Sequence, residues 1–119
     1  MKQIIAMAIL ISLLTVPAFG AVKTLGSGKT LEFDPSGIPP KMKEAYALMK
    51  VKCIKCHTME RTVVAVNTGI APVSNTIFDK GSTKAYGIKM LRKPDSNMTK
   101  QDVKTVIDLL NYLLDQASK

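Results

Sequence analysis

The sequence predicts an all-α fold, and three features of the chain lead to that prediction. Residues 41–53 and 99–117 each repeat apolar side chains at the three- and four-residue spacing of an amphipathic helix. The segment with the clearest strand-like composition is TVVAV at 62–66. Because a lone strand is not stable, we expect residues 62–66 to be helical or irregular.

The first twenty residues have the composition of a secretory signal peptide. Lys2 precedes a charge-free apolar run from Ile4 to Val16, and the small residues Ala18 and Gly20 fit a cleavage site before position 21. A membrane anchor is the alternative, but the run is shorter than the roughly 20 residues that span a bilayer. We therefore predict a signal peptide at 1–20, a periplasmic location, and a mature form without a membrane segment.

The mature chain is small and basic. Without Lys2 it has 16 Lys and Arg against nine Asp and Glu, which gives a formal net charge of +7. A chain of this size buries a modest fraction of its surface, so an internal apolar ligand would help it to form a core. Residues 21–40 are rich in Gly, Ser and Pro and are predicted as an irregular N-terminal segment, which leaves 41–119 as the functional domain.

Two helices are predicted before the last one. Pro39 and Pro40 suit the first turn of a helix, and that helix carries its apolar face into the CIKCH stretch at 53–57. The apolar face consists of Met42, Ala45, Tyr46, Met49 and Cys53. Residues 67–82 are expected to form a loop, after which Ser82 caps a short helix that ends near Pro94.

The last helix has the clearest signals. Thr99, followed three residues later by Asp102, approximates a capping box. The helix that follows is amphipathic over about five turns. Its apolar stripe consists of Val103, Val106, Ile107, Leu110, Leu113, Leu114 and Ala117.

The CIKCH stretch holds the chain's only two cysteines and its only histidine. A thioredoxin-like dithiol needs CxxC at a helix N-terminus after a strand, whereas here the motif follows a helix. A tetrahedral zinc site needs four ligands, and these five residues offer three. The third interpretation is covalent attachment of one haem c, for which Cys-x-x-Cys-His is the signature. Cys53 and Cys56 would then form thioethers, and His57 would be the proximal iron ligand.

The distal iron ligand is predicted to be a methionine, since bis-histidine ligation within one chain is excluded. Met42 and Met49 lie on the apolar face of a helix, and Met59 is too close to His57 to reach the opposite face of a haem. Met90, which follows His57 by 33 residues, is favoured, and Met98 is the alternative. If neither methionine binds, a tyrosine, a lysine, water or no group fills that position.

Residues 41–117, with CIKCHTMER, YGIKM and a final helix containing LLNYLL, resemble the small single-haem c-type cytochromes of exported bacterial class I-like type. The resemblance implies a small cytochrome c-like fold, with N- and C-terminal helices packed around one covalently attached haem. It also implies that Cys53, Cys56 and His57 hold the haem and that Met90 is the distal ligand. Met90 is followed by Leu91 rather than by the proline that is frequent in the family.

The function expected from these features is one-electron transfer, not catalysis, with a His/Met-ligated haem cycling between Fe(II) and Fe(III). The alternative is a haem enzyme or ligand sensor with an open or displaceable sixth site. Arg61 is a candidate partner for a haem propionate. We expect a monomer that binds acidic redox proteins transiently and binds no nucleic acid. The lysines that cluster near the motif are Lys41, Lys43, Lys50, Lys52 and Lys55.

Overall fold

The computed structural model describes residues 22–119 and contains four helices and two small sheets. The helices are α1 (Lys43–Lys52), α2 (Glu60–Thr68), α3 (Thr83–Leu91) and α4 (Lys100–Ala117). The strands are β1 (Thr24–Leu25), β2 (Glu32–Phe33), β3 (Ile70–Ala71) and β4 (Thr76–Ile77). The predicted signal peptide at 1–20 lies outside the described residues.

The all-α, cytochrome c-like fold class predicted from the sequence is wrong, because the chain forms two antiparallel sheets beside its helices. Strand β1 pairs with β2, and β3 pairs with β4. Each strand is two residues long, which is too short for an alternating pattern to appear in the sequence. The first hairpin lies in the segment predicted as irregular, and the second lies in the segment predicted as a loop.

Turn residues explain where the two hairpins form. Gly26 and Gly28 both have positive φ, and a Cβ on Gly26 would lie 2.5 Å from the carbonyl oxygen of Thr30. Only glycine fits that turn without strain. Asn75, which precedes β4, also adopts the left-handed conformation at φ 55°, as asparagine tolerates better than most residues.

The helices agree with the sequence-based expectations. Helix α4 begins with the predicted capping box, in which Thr99 Oγ1 accepts from the Asp102 N–H at 3.0 Å and the Thr99 N–H donates to the Asp102 carboxylate at 2.9 Å. The 62–66 segment is helical as part of α2, which ends at the left-handed Gly69. Helix α3 begins after Ser82 and ends before Pro94. Helix α1 follows a 3₁₀ turn at Pro40–Met42.

The core lies between α1, α2 and α4, with the β1–β2 hairpin packed against it. Its most buried side chains, each less than 2% exposed, are Phe33, Met49, Val63, Val66, Leu109 and Leu113. The Tyr46 hydroxyl donates to the Phe33 carbonyl at 2.7 Å, which fastens the hairpin to α1. Helix α3 is joined to α4 by the buried Thr83, whose hydroxyl donates to Asn111 Oδ1 at 2.9 Å. None of the helices in the described part of the chain is long and apolar enough to cross a membrane.

Candidate cofactor site

A cavity of about 440 Å³ lies between the end of α1, α3, α4 and the β3–β4 hairpin. Its volume falls in the roughly 300–1,000 Å³ range of small-molecule and cofactor pockets. The walls are mostly apolar. The apolar side chains that line it are Met49, Ala71, Pro72, Val73, Phe78, Met90, Met98, Val103, Val106, Ile107 and Leu110.

The predicted site residues Cys53, Cys56, His57, Met90 and Arg61 all line this cavity, and so does the alternative ligand Met98. Three of them come from the stretch after α1, and Met90 comes from α3. Residues that are distant in the sequence therefore line one apolar cavity. Their roles toward a cofactor stay predictions.

The end of α1 presents both thiols. Cys53 is the C-terminal cap, and its N–H donates to the Met49 carbonyl at 2.9 Å. Both cysteines are free thiols, Cys53 half-buried and Cys56 exposed. Burial raises the pKa of the Cys53 thiol, because an apolar environment disfavours the thiolate. Both cysteines therefore line the cavity as free thiols.

His57 is half-buried, and a hydrogen bond fixes the tautomer of its ring. Its Nδ1 lies 2.9 Å from the carbonyl oxygen of Thr58. A carbonyl oxygen accepts and does not donate, so Nδ1 carries the proton. In the neutral ring Nε2 then keeps a free lone pair, which is the state that a metal ion requires.

Both candidate distal methionines are half-buried, but they lie on different kinds of structure. Met90 is in the last turns of α3. Met98 follows a loop in which Asp95 and Asn97 both have positive φ. That loop is tied to α1, since Lys52 Nζ donates to the Asn97 carbonyl at 2.8 Å.

The other methionines of the described residues belong to the core. Met59 is buried and is not among the residues that line the cavity. Met42 packs against the core cluster. Met49 is 1% exposed and contributes to the cavity wall from the core side.

Five cations line the cavity and form what we call the basic rim: Lys52, Lys55, Arg61, Lys89 and Lys93. Asp and Glu do not occur among the lining residues of the 22–119 region. The lysine cluster expected from the sequence contributes only in part. Lys50 instead pairs with Glu32 at 3.1 Å and lies 5.5 Å from the centre of the Tyr46 ring.

Sequence reasoning missed the wall formed by the β3–β4 hairpin and α3. Ser74 and Tyr86 line the cavity, and their hydroxyl oxygens are 3.1 Å apart. Thr76 Oγ1 is hydrogen-bonded to both hydroxyls. The hydrogen bonds that the Tyr86 hydroxyl makes with Ser74 and Thr76 lower the pKa of Tyr86. Pro72 and the left-handed Asn75 were the available signals for this hairpin, because both are typical turn residues.

Within residues 22–119, no three His, Cys, Asp or Glu side chains lie close enough together to hold a metal ion. A haem does not require such a cluster, since its iron sits in the porphyrin and takes only axial ligands from the protein. Comparisons with protein-family models, curated proteins and solved structures found no match to this chain. The function is therefore inferred from the residues and geometry of the cavity.

Proposed function

We propose that the protein is a periplasmic one-electron carrier with one covalently attached haem c, a small monohaem c-type cytochrome in function. The observation that carries the proposal is the convergence of Cys53, Cys56, His57 and Met90 on one apolar cavity. The proposal concerns cofactor and activity and is independent of the fold class.

The residues of the cavity fit this cofactor. Two free thiols separated by two residues match the attachment motif, and Cys53 and Cys56 would hold the group through thioether bonds to its two vinyl substituents. His57 offers Nε2 as the proximal ligand because Nδ1 is engaged by Thr58. A haem held by these residues would supply reversible one-electron Fe(II)/Fe(III) chemistry.

Met90 is the proposed distal ligand, with Met98 as the alternative. Met90 belongs to a helix that is fastened to α4 through Thr83 and Asn111, which holds its backbone in place. A methionine paired with a histidine raises the reduction potential of a haem. The residues that line the cavity with Met90 are mostly apolar.

The basic rim suggests the class of partner. Five cations without a carboxylate among them produce a positive potential around the cavity, which attracts acidic surfaces and speeds encounter. We therefore propose acidic redox proteins as partners of a monomeric carrier that binds no nucleic acid. Arg61 is the rim cation proposed to pair with a propionate, because a planar guanidinium matches a carboxylate.

Spectroscopy and voltammetry of the purified protein test this function. We expect a low-spin ferric spectrum with the methionine–iron charge-transfer band, a reversible one-electron wave, and no binding of carbon monoxide by the reduced protein. A high-spin spectrum that changes when carbon monoxide is added would instead support the alternative, an enzyme or ligand sensor with an open sixth site.

A further inference from the structure

Helices α3 and α4 lie very close together at Gly87. A Cβ atom on this residue would lie 2.7 Å from Val103 Cγ1 and 2.9 Å from Ile107 Cδ1. Carbon atoms in contact are normally about 3.5–4.0 Å apart. The α3 backbone therefore lies directly on two side chains of α4, with no room for even a methyl group.

This close approach explains why a glycine stands inside a helix. Glycine in a helix interior costs about 0.5–1 kcal/mol relative to alanine. Gly87 has no positive φ that would require glycine. The feature that requires glycine here is the contact with Val103 and Ile107.

The same contact lies in the wall of the cavity. Gly87, Val103 and Ile107 all line it, as does Met90, which follows Gly87 by three residues. Residues three apart lie on the same face of a helix. Any shift of α3 away from α4 at Gly87 therefore moves Met90 relative to His57.

We propose that Gly87 is a positioning residue that sets the distance between the Met90 sulfur and the His57 side of the cavity. The inference deepens the proposed function and rests on it. Val103 is β-branched, so its side chain is held in one preferred rotamer in a helix and does not readily turn aside. A methyl group at position 87 then displaces α3 by about 1 Å, the difference between 2.7 Å and a normal contact. Functional groups need placement to within about 0.5 Å.

The test compares Gly87→Ala with the double variant Gly87→Ala/Val103→Ala, which removes the nearest opposing atom, Cγ1 at 2.7 Å. The other close atom, Ile107 Cδ1 at 2.9 Å, is the end of a side chain that can rotate away from the added methyl group. For Gly87→Ala we expect haem still covalently attached, loss of the methionine–iron band, and new binding of carbon monoxide by the reduced protein. The double variant should regain the band. Val103→Ala alone completes the cycle, so that the recovery in the double variant is measured against the effect of removing Cγ1 by itself.

A second variant enlarges the side chain that α4 contributes to the same contact. Val103→Ile adds a methylene group and leaves Gly87 in place, so it should weaken the band even if Gly87→Ala does not accumulate. An unchanged band in Gly87→Ala or in Val103→Ile overturns the proposal. A band that is lost in Gly87→Ala and not regained in the double variant also overturns it, because the effect is then general destabilisation. Wild-type protein without attached haem contradicts the proposed function itself, which is a separate result.

Discussion

Replacing Tyr46 by Phe tests how the β1–β2 hairpin is held to α1. The Tyr46 hydroxyl donates to the Phe33 carbonyl at 2.7 Å, and the residue is only 4% exposed. The substitution removes one hydrogen bond and leaves a carbonyl in buried surroundings without this donor. We expect a loss of about 1–2 kcal/mol in the free energy of unfolding at neutral pH.

The stability lost in Tyr46→Phe depends on pH. Burial, aided by the negative charge of Glu32, raises the pKa of Tyr46 to about 12 in the folded protein. In the unfolded chain the phenol ionises near its ordinary pKa of about 10. Below pH 10 the Tyr46 phenol is protonated in both the folded and the unfolded state, so its ionisation does not affect the free energy of unfolding. Between about pH 10 and 12 the phenol loses its proton only in the unfolded chain, and the free energy of unfolding falls by up to about 2–3 kcal/mol.

Urea unfolding of the wild type and Tyr46→Phe, followed by circular dichroism from pH 7 to 12, measures both effects. Other groups that titrate in this range are common to the two proteins, so the difference between their stabilities isolates Tyr46. We expect the wild type to lose its advantage as the pH rises above 10, and the two curves to converge or cross. Parallel curves up to pH 12 would refute the reasoning.

Two further predictions concern the cavity. Met90→Ala should abolish the methionine–iron band and open a carbon monoxide site, whereas Met98→Ala should retain the band; the reverse result would make Met98 the ligand. The combined substitutions Lys55→Gln, Lys89→Gln and Lys93→Gln neutralise part of the basic rim. They should slow oxidation of the reduced protein by an anionic small-molecule oxidant roughly ten-fold at low ionic strength. The rate of oxidation by a neutral oxidant should be unaffected. Control substitutions of Lys84, Lys100 and Lys119, which lie away from the cavity, should leave the rates with both oxidants unchanged. Equal slowing with both oxidants would contradict an electrostatic role.

The helices were predictable because their signals are local and repeated. Helix α4 has both a capping box and a stripe of apolar residues, of which Leu110 and Leu113 are buried as expected. Helix α2 was open to a strand interpretation because of its valines, but tertiary packing buries Val63 and Val66 on a helix. The hairpins escaped prediction because a two-residue strand is determined by turn geometry and partner backbone, not by periodicity.

The candidate site likewise contains residues that a local motif predicts and residues that only the packing of helices reveals. Cys53, Cys56 and His57 form a contiguous motif whose chemistry can be read directly. Lys89 joins the basic rim only because α3 faces the cavity, and Gly87 matters only because α4 lies against it. Both facts depend on how two helices pack, and that packing cannot be read from the local patterns of a single sequence.

The intact mass of the protein, expressed with its signal in a host that matures c-type haem, tests the central claim most directly. We predict the mass of the exported polypeptide plus one haem, with the colour retained by the polypeptide after acid denaturation and solvent extraction. Cys53→Ala/Cys56→Ala should lose that retained haem. A colourless wild-type protein of unmodified polypeptide mass, obtained from a host that matures a control cytochrome in parallel, would contradict the account.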